Sequence, residues 1–166
     1  MIVQKAEGKD QIDWKRNAVF TAFGCVYLGA IQWFVYVTAF SRLCPNAIKF
    51  ANMPFAEKMK FRAGQIDLVK QTLLDNFVHY TFIYFPVLYT FKELIQANDD
   101  QESLTEVVGN ALRKYKTNFV TDNLAMWSLW IPFDLIIYAV PIWMRLPLNH
   151  GVSLVWTMIL SWMRGN

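Results

Sequence analysis

Asp134 is the only charged residue between Asn123 and Met144. An ionisable side chain in so apolar a stretch marks either a buried hydrogen bond or a path for a proton or cation. Tyr138 follows one helical turn later and is placed to donate its hydroxyl to that carboxylate. Asp75 and His79, four residues apart, share one helix face, the arrangement by which a carboxylate orients an imidazole. Gln32 and Asn76 are further polar residues in apolar surroundings and, with Asp134 and His79, complete the set of intramembrane polar candidates. His150 is the other histidine, in the turn-like sequence Pro147–Gly151, so no third ligand joins Asp75 and His79 and no metal site is expected.

Catalysis is not expected either. Ser103, Ser128, Ser153 and Ser161 lack the glycine-rich elbow and neighbouring base of a hydrolytic nucleophile, and no phosphate-binding glycine loop is present. Cys25 and Cys44 match neither a CxxC nor a Cys/His spacing and are read as packing residues. Sixteen Lys and Arg against 13 Asp and Glu give a net charge of +3. That charge is too scattered for a nucleic-acid footprint.

The elements that would position these groups follow from composition. The chain is 55% hydrophobic, 16% aromatic and only 17% charged, against roughly 25% charged in an average soluble domain. The deficit points to lipid and predicts one all-α membrane domain over 1–166, a polytopic bundle of about four spans. Those spans are expected near 17–40, 72–91, 123–144 and 146–163, each close to the roughly 20 residues a bilayer needs. Within the first, Thr21, Cys25 and Gly29 form a small-residue stripe of the kind that lets helices approach closely. Pro86 is expected to kink the second, and Pro147, Asn149, His150 and Gly151 to turn the last two into a hairpin. Between the first two spans, 54–64 reads as an interfacial amphipathic segment whose Lys58, Lys60 and Arg62 would meet lipid headgroups. Trp127, Trp130, Trp143, Trp156 and Trp162 are read as interface anchors. Four spans leave nine Lys or Arg on one side and seven on the other, too even a split to orient the chain. No apolar leader is visible in 1–16, and its acids argue against an intact transit peptide.

The last two predicted spans carry a pattern. Val140-Pro141 is followed by Arg145 four residues after the proline, Trp156 eleven after the arginine, and Leu160-Ser161-Trp162. With Trp127, Trp130-Ile131-Pro132, Gly29-Ala30 and Asp75-Asn76, this resembles the signature of the Mpv-seventeen and twenty-two-kilodalton peroxisomal membrane protein family, as a divergent member. The resemblance implies a non-enzymatic protein of organelle membranes, the mitochondrial inner membrane first and the peroxisome second, for which pore activity has been proposed. Several polar residues of the family's lining are replaced near Phe133 and Asp134. The leading expectation is therefore an accessory subunit of a larger membrane complex, with membrane lipids and other membrane protein subunits as partners, bound phospholipid and no cofactor. A small channel lined by Asp134, Gln32 and Asn76 is the alternative, and a lipid or pigment binder using His79 the second alternative.

Overall fold

The computed structural model describes Trp14, Thr21, residues 24–96 and residues 103–164. Everything described is helix or short connection, and the all-α class expected from sequence holds. The chain enters through two π-helical stretches, π1 (Gly24–Ile31) and π2 (Phe34–Ala39), and one α-turn, α1 (Phe40–Leu43). After Pro45 come two short helices, α2 (Ala47–Asn52) and α3 (Phe55–Lys58). A long composite helix follows: α4 (Arg62–Leu74), π3 (Asp75–Tyr84) and α5 (Phe85–Gln96). The last two helices are α6 (Leu104–Ala139) and α7 (Ile142–Arg164).

Local chemistry sets the ends. Ser103 opens α6 as a capping box: its Oγ accepts from the Glu106 amide at 3.3 Å while the Glu106 carboxylate accepts from the Ser103 amide at 2.8 Å. Two otherwise orphaned donors are thereby satisfied. Val140 precedes Pro141 and is held in extended backbone, as the proline ring requires of its predecessor. That break separates α6 from α7. The expected hairpin turn at 147–151 is instead helix, since α7 runs unbroken through Pro147 and Gly151.

The middle of the composite helix does not keep the α-helical period. Its buried residues fall in clusters, 71/72, 75/76, 79/80/81, 84/85 and 88/89, whose first members are spaced by four to five residues rather than 3.6. A π-helix, bonded i→i+5, turns once in about 4.4 residues. Only that wider turn keeps Asp75, His79, Tyr80 and Tyr84 on one face. With α-helical geometry, Tyr84 would lie opposite Asp75. The interior they face is aromatic: Tyr27, Tyr80, Tyr84, Phe85, Trp130 and Trp156 form its centre around Met126 and Ile137. The bundle also leaves large apolar side chains outward, among them Phe82, Trp143 and Leu154.

The membrane architecture is corrected. Among the described residues, no helix is long and apolar enough to cross a membrane. The expected spans fail for identifiable reasons. Much of the apparent hydrophobicity over 17–40 and 72–91 is aromatic, and tyrosine and tryptophan carry polar tips that need partners. The first stretch is helical without a break over 24–43 but changes between π and α geometry along its length, and its beginning lies outside the described residues. The second contains the inward-facing Asp75, Asn76 and His79. The third belongs to a helix that begins in the polar sequence after Ser103, and the fourth incorporates Arg145, Asn149 and His150 into its length.

The interfacial segment is also redrawn. Its expected helix over 54–64 is divided between α3 and the first turn of α4. Lys58 reaches inward, donating from Nζ to the Ala139 carbonyl at 2.7 Å, where it satisfies an acceptor at the end of α6. Lys60 and Arg62 are exposed. With the spans gone, the expected lipid and membrane-subunit partners lose their support. The organelle-membrane location loses the same support.

Candidate functional site

The densest polar arrangement lies where π2, π3 and α6 meet. Asp75 has no solvent exposure, so its carboxylate must find protein donors. It receives three. Tyr36 donates its hydroxyl to Oδ2 at 2.6 Å, Tyr138 donates to the same oxygen in a short bond, and His79 Nδ1 lies 2.7 Å from Oδ1. The carboxylate thus ties three helical elements at one point.

With Nδ1 donating to Asp75, the other imidazole nitrogen, Nε2, becomes the acceptor for the Tyr27 hydroxyl at 2.9 Å. This tautomer follows from the network rather than from observed hydrogens. Tyr27 and His79 stack nearly parallel, with ring centroids 5.9 Å apart. Asp75, His79 and Tyr27 form a carboxylate–imidazole–phenol series, all within the core.

A second carboxylate lies beside the first. Asn76 donates from Nδ2 to Asp134 Oδ2 at 2.7 Å, joining π3 to α6. Asp134 is 2% exposed. Burial, then the negative charge of Asp75, pushes its pKa up to about 8, while the Asn76 hydrogen bond pulls the other way. The Oδ1 of Asn76 is buried and has no hydrogen-bond partner. Its main-chain carbonyl accepts from Thr81 Oγ1 at 3.0 Å and Trp127 Nε1 at 3.2 Å.

The phenols respond to the same surroundings. Burial first, then the Asp75 charge, holds Tyr36 and Tyr138 well above the ordinary phenol range. Burial likewise raises Tyr27, with Tyr84 and Asp75 adding to it. The guanidinium of Arg145 donates to the main-chain carbonyls of Tyr138 at 2.8 Å and Val140 at 3.3 Å. Burial pulls its pKa below the usual arginine value.

Further along α6 is a smaller polar group. Thr81 Oγ1 donates to Asn123 Oδ1 at 2.8 Å, Asn123 Nδ2 donates to the Tyr115 hydroxyl at 2.9 Å, and that hydroxyl donates to the Thr81 carbonyl at 2.7 Å. Tyr89 donates to Asp122 in a short bond. These close each other's hydrogen bonds and explain how Asp122 and Asn123 lie in the core.

Of the residues singled out from sequence, Asp75, Asn76, His79, Asp134 and Tyr138 come together. The pairing differs in one respect: Tyr138 donates to Asp75 rather than to Asp134. Gln32 is half-buried between π1 and π2, and none of the centre's described hydrogen bonds reaches it. Thr21 and Cys25 are exposed, Gly29 lies in π1, and Cys44 is buried. His150 stands exposed on α7. Trp130 is buried with an indole N–H that has no partner, Trp156 is buried beside Tyr84, and Trp143 is exposed. Pro132 is inside α6, Val140-Pro141 forms the break after it, and Ser161 belongs to α7 with its side chain outside the described residues. Among the described residues, no group of three or more His, Cys, Asp or Glu is placed to hold a metal ion.

Sequence reasoning missed Tyr27 and Tyr36. They are nine residues apart, about two turns of an i→i+5 helix. That spacing was the available signal.

No family model matches the chain, and comparison with curated proteins and with solved structures finds no similar one. The Mpv-seventeen resemblance is therefore corrected together with the membrane architecture on which its meaning depended. The residues that carried it have local explanations: Arg145 binds carbonyls at the α6–α7 break, and Trp156 packs edge-on against Phe85.

Proposed function

We propose that this chain is a non-enzymatic, proton-responsive helical protein whose centre holds one exchangeable proton on Asp134. The observation that carries this reading is the burial of two carboxylates, Asp75 and Asp134, held by separate hydrogen bonds but close enough for the charge of Asp75 to act on Asp134. Two like charges at such a site resist simultaneous ionisation. Asp75 has three donors to stabilise its charge, whereas Asp134 has the single donor from Asn76. The proton therefore belongs on Asp134.

The unpartnered Asn76 Oδ1 supplies the matching acceptor. A protonated Asp134 accepting from Asn76 Nδ2 and donating to Asn76 Oδ1 closes a cyclic acid–amide pair between π3 and α6. Losing that proton opens one half of the pair and sets a second negative charge beside Asp75. The groups facing this event are Asp75 and His79 from π3, Tyr36 from π2, Tyr80 from π3 and Tyr138 from α6, with Arg145 reaching the Tyr138 carbonyl from α7. The only strongly basic member points its guanidinium at carbonyls instead. Proton loss consequently loosens the π3–α6 contact.

The same geometry favours a non-catalytic role. Both nitrogens of His79 are engaged, one by Asp75 and one by Tyr27. The test is a carbon-thirteen NMR titration of the side-chain carboxyls in the intact chain, with amide exchange followed across π3 and α6. Asp134 is expected to titrate near pH 8, with faster exchange above that pH. Titration in the ordinary aspartate range, about pH 4, would overturn the proposal.

A further inference from the structure

We infer that Tyr27 is a redox-active tyrosine: an outer-sphere one-electron oxidant takes its electron while its phenolic proton passes to His79 Nε2. The hydroxyl–imidazole distance of 2.9 Å lets the proton cross along an existing hydrogen bond. The imidazolium formed is held against the Asp75 carboxylate at 2.7 Å, where a hydrogen-bonded opposite charge stabilises it. The balance is complete. The phenol O–H bond breaks, an N–H bond forms on His79, the oxidant gains one electron, and Tyr27 becomes a neutral phenoxyl radical.

Burial supplies the reason for coupling the two transfers. Tyr27 is 1% exposed, and water cannot take its proton. Burial also keeps the neutral phenol from ionising beforehand. A one-electron-oxidised phenol, in contrast, is a strong acid, and its base is already in place. Electron and proton leave together.

An aromatic series leads to this tyrosine. Tyr84 lies with its ring centroid 5.4 Å from Tyr27, Tyr80 lies 5.1 Å from Tyr84, and Trp130 lies 5.9 Å from Tyr80. The buried indole N–H of Trp130 has no hydrogen-bond partner. An oxidised Trp130 has no base for its proton there and remains a strong oxidant. Tyr27, with its acceptor, is the energetically lower resting place for the electron vacancy.

Tyr36 and Tyr138 are the rivals, since both donate to Asp75. They share one carboxylate oxygen, and proton transfer to it would remove the charge that stabilises the three-way junction. Oxidation at Tyr27 preserves that charge.

The test uses the intact chain and photogenerated trivalent ruthenium tris-bipyridine as oxidant, with electron paramagnetic resonance as the readout. A tyrosyl signal is expected, reduced at least fivefold by Tyr27→Phe and retained in Tyr36→Phe and Tyr138→Phe. Replacing Tyr27 by 3-fluorotyrosine retains the phenol and is expected to add fluorine hyperfine structure. That readout distinguishes radical location from loss of folding. A signal unchanged by both Tyr27 replacements, or abolished by Tyr36→Phe in folded protein, would overturn the inference. Asp134→Asn is expected to form the Tyr27 radical at the unsubstituted yield, so this test stands apart from the fate of the Asp134 proton.

Discussion

Replacing Asp134 by Asn removes the exchangeable proton while keeping the shape and hydrogen-bonding capacity of a protonated carboxyl. In the native fold the pKa of Asp134 is raised from 3.8 to about 8. An acid so shifted contributes stability that is fully present below its unfolded value and lost as pH rises through its folded one. Between about pH 5 and pH 7 the unfolded side chain has given up its proton and the folded one retains it. Stability should then fall by about 1.4 kcal/mol per pH unit from this group alone. That slope depends only on the folded value lying above the window. The full effect across both transitions, about four units, is at most about 6 kcal/mol. Other carboxylates titrate too, so the useful quantity is the difference between the two proteins. Urea unfolding followed by tryptophan fluorescence at pH 5, 6 and 7 measures it. Asp134→Asn should gain about 3 kcal/mol on the unsubstituted chain across that window, with the two proteins approaching one another toward pH 4. Parallel stability curves would refute the assignment of the proton to Asp134.

Asp75→Asn removes the negative acceptor of three donors and should cost about 4 kcal/mol in urea unfolding at pH 7, as expected for several charge-assisted hydrogen bonds that are only partly replaced; a loss below about 1 kcal/mol would contradict its junction role. Gly64→Ala brings a Cβ within 2.5 Å of the Phe61 ring and 2.6 Å of the Phe50 ring, and should lower stability by about 1–3 kcal/mol through overpacking, read as a drop in Tm. Gly109→Ala, with nothing within 4 Å of the new atom, should instead raise stability by about 0.5–1 kcal/mol through helix propensity, read as a rise in Tm. Lys58→Met should cost about 1–2 kcal/mol by uncovering the Ala139 carbonyl, with faster amide exchange confined to the last turn of α6.

The sequence made the local part of the centre legible. Asp75 and His79 were paired by their four-residue spacing, and the isolation of Asp134 identified a buried acid. The cross-helix partners were not legible, because the spacing that predicted Tyr138 on Asp134 says nothing of a third helix bringing Asp75 closer. Tyr27 and Tyr36 disappeared into an aromatic count, where each phenol looked like apolar surface. The same counting produced the membrane reading: aromatic residues raised the apparent hydrophobicity of stretches whose polar atoms join helices to one another. The all-α class survived this error because uninterrupted apolar and aromatic runs favour helices in either setting. Helix boundaries did not survive it. Pro147 and Gly151 looked like a turn but lie within α7, while Val140-Pro141 makes the break.

The 36-residue length of α6 also gives the molecule a lever. Pro132 interrupts its ladder by lacking an amide donor, and lies two residues before Asp134. From Pro132 back to Leu104 the helix extends about 42 Å at 1.5 Å per residue. A rotation of about 5° at that point would displace the Leu104 end by nearly 4 Å, using the same approximate length. A proton gained or lost beside Pro132 would thus act at the short arm, with the capped beginning of α6 at the long one, where a small change in the core would be magnified at the surface.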